Sequence, residues 1–346
     1  MAENREQKST GIVRTVLGPV PAQELGVVLI HESLLSVTPG AEYAPEIDMD
    51  KSKIFDILQR KLIDFRRNGG RTIVDHSGMF HGRDVKLYET LSKTTGVHIV
   101  ASTGLGPEGM LSGYFTTPQT HPPTPWPAEQ FAGLFIKEVI EGIVVPRVER
   151  SGPAGIVTSI ATQSGIVEIE ENLFRGCAQT ALATGVPVSL QYGANALNDL
   201  EVALSEGIET HRVIIGGLDR LDAVKRKEAF AIAERGAYVA LDHVGWSTPE
   251  GYINDMERAR LIAELFEKGL GERVLISTNA VGCAKGHETK DIDYNYLLTK
   301  FVPFLHEAGM LNEEIRILLE DNPQRVLAGD ATAVVKKETA VGAKQK

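Results

Sequence analysis

Short apolar, β-branched runs alternate along this chain with longer amphipathic ones, and the alternation is sustained from end to end. Residues 26–31 (GVVLIH) predict a first strand. Residues 51–67 follow with helical spacing that puts Ile54, Ile57, Leu58 and Leu62 on one face, and Gly69-Gly70 stops the helix. Residues 72–75 and 97–102 predict the next two strands, with a helix over 83–93 between them. The stretch 103–127 is rich in Pro, Gly and Thr and far longer than an ordinary connection, so it reads as a lid. A helix over 128–141 follows. Strands are then predicted at 155–160, 186–191, 212–216, 237–243 and 273–278, each followed by a helix: 172–184, 197–205, 220–235, 253–268 and 296–308. A last helical segment, 312–319, precedes Asn322-Pro323.

Repeated strand–helix units imply a parallel sheet, because each helix carries the chain back to start the next strand in the same direction. Eight such units in one chain of 346 residues favour closure. The expected fold is α/β, a single (β/α)8 TIM barrel over 11–330, with flexible ends at 1–10 and 331–346. No G-x-G-x-x-G follows the first strand, which weighs against a dinucleotide-binding sheet. The net charge of −10, with no basic run interleaved with aromatics, argues against a nucleic-acid partner. No apolar stretch approaches the ~20 residues a membrane span needs. The polar first ten residues lack a signal-peptide core. Cys177 and Cys283 lack metal-type spacing and read as reduced thiols, so a cytoplasmic location is expected.

In such a barrel, chemistry collects at the C-terminal ends of the strands. Those ends read His31-Glu32-Ser33, Asp75-His76, Ser102-Thr103, Thr158, Gln191-Tyr192, Gly217, Asp242-His243 and Asn279. Alternation turns His31 and Ser33 toward the mouth and Glu32 away from it. His31, His76 and His243 are the candidate acid/base groups, each with a bland alternative as a buried or loop-capping ring. Asp75 and Asp242 are candidates to orient an imidazole, and Asp75 also reads as a carboxylate bonded to loop amides. Ser33, Thr158, Gln191 and Asn279 suit hydrogen bonds to a neutral polar substrate. Tyr192 and Trp246 read as pocket walls, and Gly217 as open volume. Cys283 would need a base partner to act as a nucleophile. Lys285 and His287 read as solvated, and Glu168, Glu170 and Glu171 as favouring a helix N-terminus.

Several segments carry a resemblance. They are residues 13–19 (VRTVLGP), 24–26 (ELG), 30–32 (IHE), 71–75 (RTIVD), 82–85 (GRDV) and 98–101 (HIVA). The later ones are 183–188 (ATGVPV), 241–243 (LDH) and 322–325 (NPQR). Together they resemble the phosphotriesterase-like family of the amidohydrolase superfamily, in order, from about residue 11 to 327. The resemblance implies a binuclear metal centre. Its ligands would be His-x-His on strand one, a carboxylated lysine on strand four, histidines on strands five and six, and an aspartate on strand eight. This chain keeps His31 but carries Ser33, Thr158, Gln191, Gly217 and Asn279 at the other positions.

One imidazole and no anionic ligand cannot balance a pair of divalent ions, so no metal and no other cofactor is expected. Without the metals, the activated hydroxide and the Lewis acid are gone, and any chemistry must come from protons and hydrogen-bond donors. Lactone cleavage is common in the resembled family. The leading expectation is therefore a metal-independent hydrolase of an ester or lactone, acting on a small-molecule substrate through histidine acid/base catalysis. The alternatives are a lyase or isomerase working on a carbonyl substrate through the same groups, and a noncatalytic ligand-binding barrel. The resemblance also implies a homodimer.

Overall fold

The computed structural model describes residues 11–111, 113–116, 125–145 and 149–328. The ends at 1–10 and 331–346, and part of the 103–127 stretch, lie outside the described residues. Seven strands pair in parallel in chain order: β1 (Val27–Val37), β2 (Gly70–Asp75), β3 (His98–Leu105), β4 (Ala154–Ile160), β5 (Val188–Gln191), β6 (Val213–Gly216) and β7 (Tyr238–Leu241). The eighth stave is split. β8 (Val274–Ile276) pairs with β7, and β9 (Val281–Lys285) pairs back onto β1. With helices between the strands, this is the (β/α)8 barrel expected from the alternation.

Period-two alternation builds two cores. Val28, Ile30, Val74, Val100, Ile156, Ile214, Ala240 and Leu275 form one buried cluster inside the barrel, sealed below by Val13, Leu25 and Leu327. The residues between them, such as Leu29, Ile73, Ile99, Val157, Val213 and Val239, join the cluster packed under the helices. One step further toward the C-terminal ends, the inward positions turn polar: Ser102, Thr158, Ser189, Asp242 and Ser277, all buried. The sheet thus passes from an oily base to a hydrogen-bonded upper layer, and the site rests on that layer.

Helix α1 (Lys51–Arg67) has the expected bounds, capped by Asp50 accepting from the Ser52 and Lys53 amides at 2.9 and 3.3 Å. It buries Ile54, Leu58, Leu62 and Phe65, while Ile57 sits half-buried at the stripe's edge. Three departures from the pattern reading shape the barrel's upper rim and outer layer. β1 runs six residues past His31, because 33–37 finds a partner in 281–285, a stretch that reads as loop. β3 continues to Leu105, so the long connection begins at Gly106. The helix expected over 220–235 breaks into Leu221–Lys225 and Glu228–Glu234, with Lys227 left-handed at φ 56° between them.

The split in the eighth stave has a local cause. Leu29 pairs with Ile73 and Glu32 with Asp75, so β1 spends one extra residue there and bulges. The bulge sends the fully buried Glu32 carboxylate across to the eighth stave. There it accepts from the Ser277 hydroxyl at 2.7 Å, the Thr278 amide at 2.9 Å, the Thr278 hydroxyl and the Ala280 amide. A side chain replaces ladder bonds at this point. Both amides flanking Asn279 are held, and Asn279 adopts a left-handed φ of 50°.

Burial pushes the Glu32 carboxyl up to about 7, although its four hydrogen-bond donors oppose that. A raised folded-state value means the bound proton stabilises the fold below the ordinary 4.5, and that stabilisation is lost as pH rises through about 7. Glu32→Gln points an amide N–H2 at some of these donors. It is expected to lower unfolding free energy by about 2–4 kcal/mol and to erase this pH-dependent component, both read from denaturant melts between acid and neutral pH.

Candidate active site at the barrel mouth

A cavity of about 610 Å³ opens at the C-terminal ends of the strands. Ser33, His76, Thr158 and Gln191 line it, as expected from sequence, and so do Tyr192, Gly217, His243 and Asn279. Leu105, Met110, Ile160 and Tyr252 supply apolar wall.

Asp242 is the hub beneath this cavity. It extends the inward alternation of β7 from Ala240 and is fully buried. Its Oδ1 accepts from the Gly217 amide at 2.9 Å and lies 3.0 Å from His243 Nδ1. Its Oδ2 accepts from Gln191 Nε2 at 2.6 Å and from His31 Nδ1 at 2.7 Å. Burial opposes its charge, but His243 and His31 overcome that and hold the carboxyl well below the usual range. Gly217 has φ 77°, and an added Cβ there would meet the Gln191 side-chain oxygen at 2.9 Å, so glycine serves both the turn and the close approach of Gln191.

His243 stands between two carboxylates. Nδ1 is 3.1 Å from Asp219 Oδ1 and 3.0 Å from Asp242 Oδ1, and its backbone N–H donates to Asp219 Oδ2 at 2.9 Å. Burial would lower its pKa. The negative charges of Asp219 and Asp242 outweigh burial and raise it to about 9, so the ring is a cation at neutral pH. Tyr252 stacks on it at 3.8 Å, and the Asn279 amide stands 3.1 Å from Nε2. Behind Asp219, the fully buried Arg258 donates at 2.8 Å and balances the charge.

His76 lies in the opposite electrostatic setting. Its Nε2 is 3.0 Å from the Ser189 hydroxyl and 2.5 Å from that of Thr158. Its ring centroid is 4.3 Å from that of His31. Burial lowers its pKa well below 6.5, and the neighbouring His31 adds to that. The cavity lining therefore sets the neutral His76 ring against the cationic His243 ring.

Other sequence candidates land elsewhere. His31 is buried under the floor, its ring nitrogens engaged by Asp242 and by Ser189 at 2.7 Å. Asp75 does not orient an imidazole. Its oxygens accept from the Leu34 amide at 2.7 Å, the Tyr88 hydroxyl at 3.0 Å and the Ser77 amide at 3.2 Å, which is the loop-anchoring alternative. Trp246 is not on the cavity wall; it packs edge-on to His243 and donates to the Thr278 carbonyl at 3.0 Å. Cys283 pairs within β9 away from the cavity, and burial pushes its thiol up. The helix after β4 begins at Glu168, four residues earlier than expected, and its buried Glu170 accepts from the Thr162 and Val167 amides. His287 bonds the Ser36 hydroxyl at 2.9 Å near the surface. Ser189, Asp219, Tyr252 and Arg258 went unread in the sequence. Ser189 was findable, since it sits two residues before Gln191 on the same face of β5.

Fold and site together define a (β/α)8 barrel with titratable groups gathered at the C-terminal mouth of its strands. The model of the phosphotriesterase family matches residues 11–327, and the chain belongs to that family. It is 24% identical to the phosphotriesterase homology protein of Escherichia coli (strain K12), over 87% of this chain and 97% of that one. It is 28% identical to the phospho-furanose lactonase of Mycoplasmopsis synoviae (strain 53), over 92% of each. Among solved structures, one from the engineering of organophosphate hydrolysis on a weak promiscuous lactonase template superimposes with a TM-score of 0.82 at 23% identity. It covers 91% of this chain and 99% of that one.

The binuclear centre implied by the resemblance does not fit the residues present. Of its ligand positions only His31 keeps a metal-binding side chain, and both its nitrogens are spoken for. Among the described residues, one group has metal-type spacing: Asp219, Asp242 and His243, with donor atoms within 4.8 Å of one another. There Arg258 and the His243 cation already supply the positive charge. No helix among the described residues is long and apolar enough to cross a membrane.

Proposed function

We propose that this protein is a hydrolase that cleaves a small neutral ester or lactone without a two-metal centre. His76 is the general base and the His243 cation is the acid and charge stabiliser. The observation that carries the reading is the pair of imidazoles on one cavity, pushed to opposite protonation states. Two like groups driven apart by their surroundings make an acid and a base at the same pH. Relatives named as hydrolases, a lactonase among them, support the reaction class.

His76 takes the proton from water as it attacks the carbonyl carbon. Negative charge grows on the carbonyl oxygen, where the His243 cation and neighbouring amide groups of Gln191 and Asn279 favour it. His243 then gives its Nε2 proton to the departing alkoxide, and a half-turn of the Asn279 amide lets its oxygen hold that proton beforehand. Hydroxyls, amides and apolar walls make up most of the cavity lining and suit an uncharged substrate. The charged groups in that lining are Arg220, paired with Asp222, and the His243 cation. An activated ester or strained lactone is the substrate class that depends least on metal polarisation.

The test is turnover of an ester and lactone panel with and without strong chelators, alongside elemental analysis of the purified protein. Hydrolysis that persists in chelator, with oxygen from labelled water in the product, is the expected result. Stoichiometric zinc, manganese, iron or cobalt with chelator-sensitive turnover would sink it. Cleavage without water incorporation points to the lyase, and stabilisation by ligand without turnover points to a binding protein.

A further inference from the structure

A continuous line of hydrogen bonds runs from the buried centre of the barrel to the cavity wall. Asp242 Oδ2 is 2.7 Å from His31 Nδ1, His31 Nε2 is 2.7 Å from Ser189 Oγ, and Ser189 Oγ is 3.0 Å from His76 Nε2. Asp242, His31 and Ser189 are buried, and His76 alone of the four faces the cavity. We propose that Ser189 is a positioning residue that joins His76 and His31 into one proton-accepting unit, so that a proton taken up at the cavity is delivered as charge to the His31–Asp242 pair. This rests on the hydrolase reading for its role in turnover, but the relay itself can be observed without substrate.

The direction of each bond follows from the first. The Asp242 carboxylate only accepts, so His31 donates from Nδ1 and presents a lone pair at Nε2. The Ser189 hydroxyl has one proton, and it donates that proton to His31 Nε2. Its oxygen is then free to accept, so His76 donates from Nε2. The Thr158 hydroxyl at 2.5 Å also offers an oxygen to that N–H. The basic lone pair of His76 is therefore on Nδ1.

When Nδ1 takes a proton from water, the Nε2 proton passes to Ser189 Oγ, and the serine's own proton passes to His31 Nε2. His76 ends neutral with its proton on Nδ1. Ser189 is again a hydroxyl, and His31 is an imidazolium against the Asp242 carboxylate. No proton is gained or lost beyond the one supplied by water. Asp242 is the charged group bonded to this line, with the His243 cation beside it and Asp219 and Arg258 behind His243. The Glu32 carboxylate reaches Ser277, which holds the His31 amide, and Arg220 shares the cavity lining with His76. Asp242 is bonded directly to His31, whereas His76 has no carboxylate in contact. A serine flanked by histidine and aspartate also resembles a nucleophilic triad, but here the hydroxyl is fully buried under the cavity lining.

The experiment pairs kinetics of Ser189→Ala and Ser189→Thr with nitrogen NMR of the histidine rings in substrate-free protein. Ser189→Ala is expected to lower kcat about tenfold to hundredfold, at or below the full general-base effect. KM should stay nearly constant, and the acid limb of the pH profile should move down by about one unit as the proton is confined to His76. Ser189→Thr restores the hydroxyl and should restore the profile. In the wild type, NMR should show His76 as a single Nε2–H tautomer, and Ser189→Ala should weaken that preference, with the Thr158 hydroxyl left as the acceptor. A folded Ser189→Ala with an unchanged pH profile and unchanged His76 tautomer overturns the proposal. So does an acyl adduct on Ser189 found by mass spectrometry after a substrate burst, which would make Ser189 the nucleophile. If no substrate in the panel turns over, the hydrolase reading fails, and the tautomer comparison still decides whether the relay exists.

Discussion

Asp242→Asn should remove about 3–5 kcal/mol of folding stability, the scale on which a broken buried charge network destabilises a protein. Four groups converge on this carboxylate: the Gly217 amide, Gln191 Nε2, His31 Nδ1 and His243 Nδ1. An asparagine can accept with one atom only, and its N–H2 must face at least one of these donors. The substitution also leaves Asp219 as the one carboxylate beside His243, and Arg258 already claims part of Asp219. The consequence appears in pH dependence. His243 is raised to about 9 in the folded protein, so its contribution is fully present below the ordinary 6.5 and is lost as pH rises through about 9. In the wild type that loss is on the order of 3 kcal/mol. Denaturant melts at pH 6, 8 and 10 should show it, and in Asp242→Asn the decline should be smaller and should start at lower pH. Equal slopes in the two proteins would mean that Asp242 does not hold the cation.

His76→Ala should lower kcat by about 10²–10⁴-fold, with KM changed little, because the ring is needed for proton transfer more than for binding. The wild-type profile should rise from the acid side as His76 loses its proton, hold through neutral pH, and fall as His243 loses its proton near 9. His76→Ala should lose the acid limb while keeping the alkaline one, and added imidazole should recover part of the rate. Loss of both limbs, or a rate unchanged by the substitution, would remove His76 from the base's role. The ring lies over a cavity and half-buried, so the variant's fold can be checked independently by melting.

The barrel was legible because burial on both faces forces each parallel strand into a short apolar run, and these runs recur between amphipathic helices. α1 fell at its expected bounds because an aspartate cap and a Gly-Gly stop bracket it. The extension of β1 and its partner β9 escaped notice because their pairing is long-range, and Val281-Gly282-Cys283 has no local strand signature. Within the site, residues at the ends of strands were found by position alone. Ser189 was missed because it lies one inward step below the strand end, where hydrophobic filling is the usual expectation. Asp219 and Arg258 were missed because their importance is relational. Each is an ordinary charged residue until the fold brings the two together at 2.8 Å. Asp75 went the other way: it sits beside a histidine in sequence, but its oxygens bind backbone and Tyr88.

The clasp formed by Glu32 has a bearing on how this scaffold accommodates different mouths. Because the carboxylate accepts from the amides of Thr278 and Ala280, the backbone there has a hold that does not involve the side chain at position 279. The left-handed turn narrows the choice to residues that tolerate it, chiefly asparagine, aspartate and glycine. An amide can therefore stand where the resemblance implies an anion, with the Glu32 clasp in place. One atom's difference at that corner switches the polarity offered to a ligand while the staves around it stay in register.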